Sequence, residues 1–216
     1  MNDYLRSLSK EKNKFLSELR QRAESDNVPI LRADAAALMS TLTTLRAPRR
    51  ILEAGTAVGY SAILMASSCC DASGSCNVNI ETIELDIDTA ATAKENIRQA
   101  GFEKNIRVIV GDAKEVLSCI GGKEVYDMIF IDSAKSQYIE MYDDIKRLLK
   151  PGGLLVCDNV IFYGKVFDAP EDAPHKHRTI IGNLRTFLEK ITSDNDYTTC
   201  VIETGDGMTV SVKRKD

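Results

Sequence analysis

The stretch Arg50-Ile-Leu-Glu-Ala-Gly-Thr-Ala-Val-Gly-Tyr-Ser61 limits the fold of this chain more than any other part of it. Residues 50–53 read as a short buried strand, and an apolar helix carrying Ile63, Leu64 and Ala66 opens after Gly59. A tight turn with Gly55 and Gly59 lies between them. Strand, glycine turn and helix make the first crossover of a doubly wound α/β sheet, whose ligand crevice lies at the carboxyl ends of its strands. Glycine lets the backbone approach a ligand with no Cβ in the way.

The same unit recurs downstream. Residues 77–84 read as a second strand, followed by a helix over 88–100 that Gly101 closes as a C-terminal glycine cap. A third strand, 106–110, ends at Gly111-Asp112, and a short helix covers 113–120. A fourth strand, 126–131, ends at Asp132. A helix over 137–149 stops at Pro151-Gly152-Gly153, and a fifth strand, 154–157, ends at Asp158-Asn159. After a helix over 175–191, two β-like runs (197–203 and 208–213) flank Gly205-Asp206-Gly207 as a hairpin. The alternation predicts a Rossmann-like, seven-stranded, mostly parallel doubly wound sheet with a C-terminal antiparallel hairpin.

Ahead of the sheet, residues 1–26 place Leu5, Leu8, Phe15, Leu16 and Leu19 at helical spacing, as one or two amphipathic helices. Val28-Pro29-Ile30 is an extended break, because proline lacks an N–H and restricts its predecessor. A helix over 34–45 follows with Asp34 as its cap, and Pro48 precedes the first strand. The expectation is one domain over 1–216, with helices to residue 47 and the sheet core from 48.

With 44% hydrophobic residues in 216, the chain can bury a core without staples. A net charge of −4 argues against a protein coated in nucleic acid but leaves room for a local basic patch. No apolar run reaches membrane-spanning length and the N-terminus lacks a signal-peptide core, so a cytoplasmic location without membrane partners is expected. Six cysteines without a Cys-x-x-Cys pair point to reduced, mostly buried thiols rather than zinc.

The glycine turn narrows the ligand. A dinucleotide fingerprint needs a middle glycine where this chain has Ala57, and Glu53 is a poor neighbour for a pyrophosphate. That disfavours a nicotinamide-dependent oxidoreductase. The acid suits a cationic ligand with an amino group, such as S-adenosylmethionine. A non-catalytic binding protein on the same fold is a further alternative. Polar residues collect where the strands end: Glu53, Glu84, Asp112, Asp132 and Asp158-Asn159. Glu84 is placed for a ribose diol and Asp112 for an adenine or its neighbourhood. Asp132, Asp158 and Asn159 are hard oxygen donors suited to magnesium or calcium, and a cation between the two acids relieves their repulsion. Lys135, one turn beyond Asp132, is placed either as a base toward a substrate hydroxyl or as a neutralising charge.

The motifs Glu53-Ala-Gly55-Thr-Ala-Val-Gly59-Tyr-Ser61, Ile83-Glu84, Gly111-Asp112-Ala113, Phe130-Ile-Asp132-Ser-Ala-Lys135 and Asp158-Asn159-Val160 carry a resemblance over nearly the whole chain. It resembles the class I, metal-dependent O-methyltransferases of the catechol and caffeoyl-CoA type. Within them it is most similar to bacterial tRNA 5-hydroxyuridine methyltransferases, through Val28-Pro29-Ile30, residues 158–166, His175-Lys-His-Arg178 and residues 205–215. The resemblance implies magnesium at Asp132, Asp158 and Asn159. It implies S-adenosylmethionine contacts at Glu53, Ser61, Glu84, Asp112, Ala113 and Asp132, to which the glycine turn adds Gly55, Thr56 and Tyr60. Catalysis falls to Asp132 and Lys135, and a homodimer is expected. The substrate implied is 5-hydroxyuridine at the tRNA wobble position, converted to 5-methoxyuridine. RNA phosphates would meet Arg32, Lys165, Lys176, Arg178 and the tail Lys213-Arg214-Lys215. The alternative is a small catechol or a caffeoyl-CoA-like phenol, for which Phe162, Tyr163 and Phe167 are the clustered aromatic candidates.

Overall fold

The computed structural model describes residues 8–9, 11, 13–73, 76–168 and 173–215. Helices α1 (Lys14–Ser25) and α2 (Ala33–Arg46) come first, followed by β1 (Arg50–Ala54), α3 (Tyr60–Ser73), β2 (Asn79–Glu84), α4 (Ile87–Gln99) and β3 (Ile106–Val110). The second half contains α5 (Ala113–Cys119), β4 (Tyr126–Ile131), α6 (Tyr138–Leu148), β5 (Leu149–Asp158), α7 (His175–Ser193), β6 (Tyr197–Ile202) and β7 (Met208–Lys213). The seven strands run β3-β2-β1-β4-β5-β7-β6. Pairs β1/β2, β2/β3 and β4/β5 are parallel, while β7 is antiparallel to both β5 and β6. The Rossmann-like class expected from the sequence is the class observed.

The chain forms two compact units, Met1–Asp112 and Ala113–Asp216. In the first, β1 buries Ile51, Leu52 and Ala54 completely, and α3 and α4 cover the strands with Ile63, Met65, Ala93 and Ile97. Each such aliphatic side chain is worth about 1.5–3 kcal/mol on leaving water. Asn13 caps α1 by accepting from Leu16 N, and Asp86 caps α4 by accepting from Thr89 N at 2.8 Å. The other end of α4 turns at Gly101 (φ +78°), where Phe102 N reaches back to Ile97 O at 3.0 Å. This is the glycine-terminated helix end read from the sequence.

In the second unit β4 buries Met128 to Ile131 entirely. Tyr138 and Tyr142 of α6 meet Phe187 of α7 edge-on, at centroid distances of 5.6 and 6.2 Å. The β6–β7 hairpin closes through Gly207 N donating to Thr204 O at 2.8 Å.

Several expectations are corrected. Asp34 is not the cap of α2: Arg32 occupies that position without a side-chain bond, and Asp34 lies buried in the first turn. Pro151-Gly152-Gly153 does not separate helix from strand. The helix ends at Leu148, and β5 runs through all three residues with a register shift opposite Tyr126 and Met128. A strand irregularity tolerates the missing proline N–H and the φ of +75° at Gly152. The second strand begins at Asn79 rather than residue 77. Not all the thiols are reduced and buried: Cys70 and Cys76 form a disulfide, and Cys119 and Cys200 are exposed. The N-terminal helix is observed from Lys14, whereas the part expected on residues 1–7, with Leu5, lies outside the described residues. No helix among the described residues is long and apolar enough to cross a membrane.

Candidate functional site

In the N-terminal unit the glycine turn is held from three sides. Ala57 sits in the left-handed region (φ +45°), and its N–H donates to Glu84 Oε2 at 2.8 Å. Asn96 of α4 is buried and donates from Nδ2 to Val58 O at 2.9 Å. At Gly59 (φ +86°) a Cβ would stand 3.4 Å from Ala93 O, so the glycine serves both conformation and close helix packing. Glu84 Oε1 also accepts from Asp86 N at 3.1 Å, so the acid expected to face a ribose already braces the turn.

Glu53 is fully buried in β1 and accepts from Thr82 Oγ1 at 2.6 Å. Thr82 has one hydroxyl proton and gives it to Glu53, so Thr56 must donate to Thr82 across the 2.6 Å oxygen pair. Thr56 therefore points its hydroxyl inward. The Tyr60 hydroxyl is likewise engaged, accepting from Arg20 Nη2 at 2.7 Å and donating to Glu11. Burial, followed by that bond to Glu11, raises the Tyr60 pKa. Among these residues the groups left to face a cofactor are backbone atoms of the turn, including those of Gly55 and Tyr60. The other positions expected to meet the cofactor are Ser61, buried in the first turn of α3, the already engaged Glu84, and Asp112. Asp112 is half-buried after β3, and Ala113, the first residue of α5, is buried.

In the C-terminal unit the β4–β5 register pairs Ile131 with Cys157, placing Asp132 and Asp158 side by side where the two strands end. Tyr138 fixes that edge. Its buried hydroxyl lies 3.2 Å from Ile131 O and 2.9 Å from Asp158 O, one proton shared between the last carbonyls of both strands. Asp158 is 3% exposed, and burial together with the neighbouring Asp132 pushes its carboxyl up to about 7. Burial also raises Asp132, against the pull of Lys135, whose Nζ lies 3.1 Å from Asp132 Oδ1. Asn159 follows in the left-handed region (φ +56°), with its N–H on Asp158 Oδ1 at 2.8 Å. The buried Asp158 carboxyl and the half-buried Asp132 carboxyl thus sit at neighbouring strand ends, with Asn159 next in the chain and the Lys135 ammonium beside Asp132. No group of three or more His, Cys, Asp or Glu side chains arranged to hold a metal occurs among the described residues.

The expected RNA-facing cations are dispersed. Arg32 is exposed in the N-terminal unit beside a cleft of about 340 Å³ that Pro29 and Asp34 also line. Lys165 lies 5.0 Å from the Phe162 ring centroid, on the segment that follows Asn159. Lys176 and Arg178 are exposed in the first turn of α7, and Arg178 Nε donates to Ala173 O at 3.1 Å. Lys213 is used internally, with Nζ donating to Lys146 O and Leu149 O at 2.8 and 2.9 Å. By contrast the aromatic candidates present themselves: Tyr163 is 74% exposed and Phe167 68%. Phe162 packs edge-on against His177 at 5.4 Å. Sequence reasoning missed Asn96, Thr82, Tyr138 and Asp206, each of which acts on a residue far away in the chain.

A family model described as O-methyltransferase matches residues 6–214. Over 138 residues the chain is 38% identical to a catechol O-methyltransferase of Niastella koreensis, a match covering 63% of this chain and 60% of that relative, under two thirds of its length. Among solved structures, a Staphylococcus aureus protein provisionally described as a caffeoyl-CoA O-methyltransferase superposes with a TM-score of 0.86 at 33% identity, covering 98% of both chains. The O-methyltransferase TomG of Streptomyces achromogenes, involved in tomaymycin synthesis and solved with S-adenosylmethionine, superposes with a TM-score of 0.82 at 29% identity, covering 98% of this chain and 95% of that one.

Proposed function

We propose that this chain, which belongs to the O-methyltransferase family, transfers the methyl group of S-adenosylmethionine to one hydroxyl of a vicinal phenolic diol, with a divalent cation held by Asp132, Asp158 and Asn159. The methyl donor is the ligand seen in TomG. The observation that carries the cation is the Asp132–Asp158 pair at adjoining strand ends, where burial and mutual repulsion penalise two charged carboxylates that a cation would relieve, with Lys135 as a close counter-charge. The residues fit a hard, oxygen-loving ion. When bound, such an ion polarises the substrate oxygens as a Lewis acid.

The chain's own residues would do the rest. Glu84, Asn96 and the Thr56–Thr82–Glu53 chain keep the cofactor turn in shape, so that orientation supplies much of the rate. The substrate hydroxyl gives its proton to solvent water, an O–CH3 bond forms, the S–CH3 bond breaks, and S-adenosylhomocysteine leaves. Lys135, 3.1 Å from Asp132, compensates its charge.

A phenolic substrate is favoured over tRNA by the exposed aromatic rings after Asn159 and by the internal use of Lys213. The names of the catechol and caffeoyl-CoA relatives support the same choice. The tRNA reading is supported by the exposed cations Arg32, Lys176, Arg178, Arg214 and Lys215. Labelled S-adenosylmethionine with magnesium, offered in parallel to catechol and to tRNA containing 5-hydroxyuridine, separates the two. Label in catechol is expected; label in tRNA alone would replace the phenol with RNA.

A further inference from the structure

We infer that Asp206, on the turn between β6 and β7, is a positioning residue that shapes the segment after Asn159 and thereby sets how a substrate is oriented. The inference rests on the phenolic reading for its substrate, and on the following contacts for its geometry. Residues 159–164 hold an unusual backbone: Asn159, Phe162 and Tyr163 lie at φ +56°, +51° and +56°, and Gly164 at +81°. Non-glycine residues reach the left-handed region at a cost, and such a cluster persists only where its surroundings impose it.

What imposes it here is the turn. Val160 N donates to Gly207 O at 3.0 Å and Ile161 N to Asp206 O at 2.9 Å. The Asp206 side chain then accepts from Tyr163 N on Oδ1 at 2.6 Å. A charge-assisted bond to a left-handed N–H is the strong kind. Gly207 completes the clamp, since a Cβ there would fall 2.3 Å from Ile161 Cγ1 and 2.8 Å from Ile161 Cβ. The clamped segment carries Asn159 at one end and Phe162 in its middle, where the ring is fixed 5.4 Å from His177 and has Lys165 5.0 Å from its centre. Asp206 holds the segment through the backbone of Tyr163, and its charge also bears on Asp158.

The consequence is a control over orientation that lies 43 residues from the segment it acts on. A catechol with a substituent at C4 has two inequivalent hydroxyls, and the ratio of the two monomethyl products reports which one faces the methyl donor. That ratio is independent of how much enzyme is folded. With 3,4-dihydroxybenzoate as substrate, Asp206→Ala is expected to shift the 3-O to 4-O ratio by about tenfold, because displacements near 1 Å change rates by factors up to about 100. Asp206→Asn keeps an oxygen acceptor for Tyr163 N and is expected to restore the wild-type ratio. In parallel, amide hydrogen exchange over residues 160–165 should quicken about tenfold or more in Asp206→Ala, with other regions unchanged.

An unaltered ratio with unaltered exchange would overturn the inference, as would a general loss of thermal stability at an unchanged ratio. If wild-type protein methylates no catechol, the phenolic reading fails by itself. The exchange measurement then decides the role of Asp206: quickened exchange rescued by asparagine upholds the clamp, and unchanged exchange removes it.

Discussion

The two candidate regions solve opposite problems. The glycine turn of the N-terminal unit is braced by the protein itself: Glu84 takes the Ala57 N–H, Asn96 donates to the Val58 carbonyl, and Thr56 and Thr82 feed Glu53. The acid pair of the C-terminal unit is left electrically incomplete, with Asp158 pushed up to about 7 by burial and by Asp132. A turn braced by the protein's own hydrogen bonds keeps its shape without a ligand and binds by pre-organisation. A site with buried like charges gains most when a cation arrives. The cofactor side should therefore tolerate loss of a metal, and the acid side should not tolerate loss of a carboxylate.

The largest effect that sharpens this contrast is expected at Asp158. Asp158→Asn should lower turnover by more than about 100-fold, since even outer-shell partners of a metal are worth about 10–100-fold. Affinity for S-adenosylmethionine, read by calorimetric titration, should stay near wild type. Equal loss of both would erase the contrast. Next in size is Glu84→Ala. Hydrogen bonds to charged groups are worth about 1.5–3 kcal/mol, which corresponds to about 10–100-fold in cofactor dissociation constant. Turnover at saturating cofactor should change far less, and a collapse of turnover with unchanged affinity would place Glu84 in the chemistry instead.

The smallest effect is on stability against pH. The Asp158 carboxyl lies at about 7 in the folded protein and near 3.8 when unfolded. Between about pH 4 and pH 7 the folded state holds a proton that the unfolded chain has released, so stability falls as pH rises through that window and levels off above it. Thermal melts of metal-free protein should drop by a few degrees more between pH 5 and pH 8 in wild type than in Asp158→Asn. Magnesium should recover that loss at pH 8. Identical pH slopes in the two proteins would show that Asp158 is not under charge stress.

The parts that were legible in the sequence are those with local causes. Strands β1, β3 and β4 are short apolar runs ended by a glycine or an acid, and residues 126–131 were read with the limits observed. Asp132 and Asp158 were legible because each follows such a run. The start of β5 was misread because Pro151-Gly152-Gly153 carries the same signature as a turn, and only the partner strand reveals a register shift there. The Cys70–Cys76 pair follows no redox or zinc spacing, so nothing local announced it. The supports of the site were invisible for a related reason. Tyr138 acts on Asp158 across 20 positions, Asn96 on Val58 across 38, and Asp206 on Tyr163 across 43. Each is an ordinary residue in its own neighbourhood and becomes functional only when the sheet brings its target within 3 Å.

One measurement tests the contrast most directly: turnover of catechol and affinity for S-adenosylmethionine, determined on one preparation of wild-type protein before and after a chelator. Chelation is expected to abolish turnover, magnesium to restore it, and cofactor affinity to stay within about twofold, because the hydrogen bonds that shape the turn lie inside the N-terminal unit. Turnover that survives complete chelation, or cofactor affinity that falls together with turnover, would contradict this expectation.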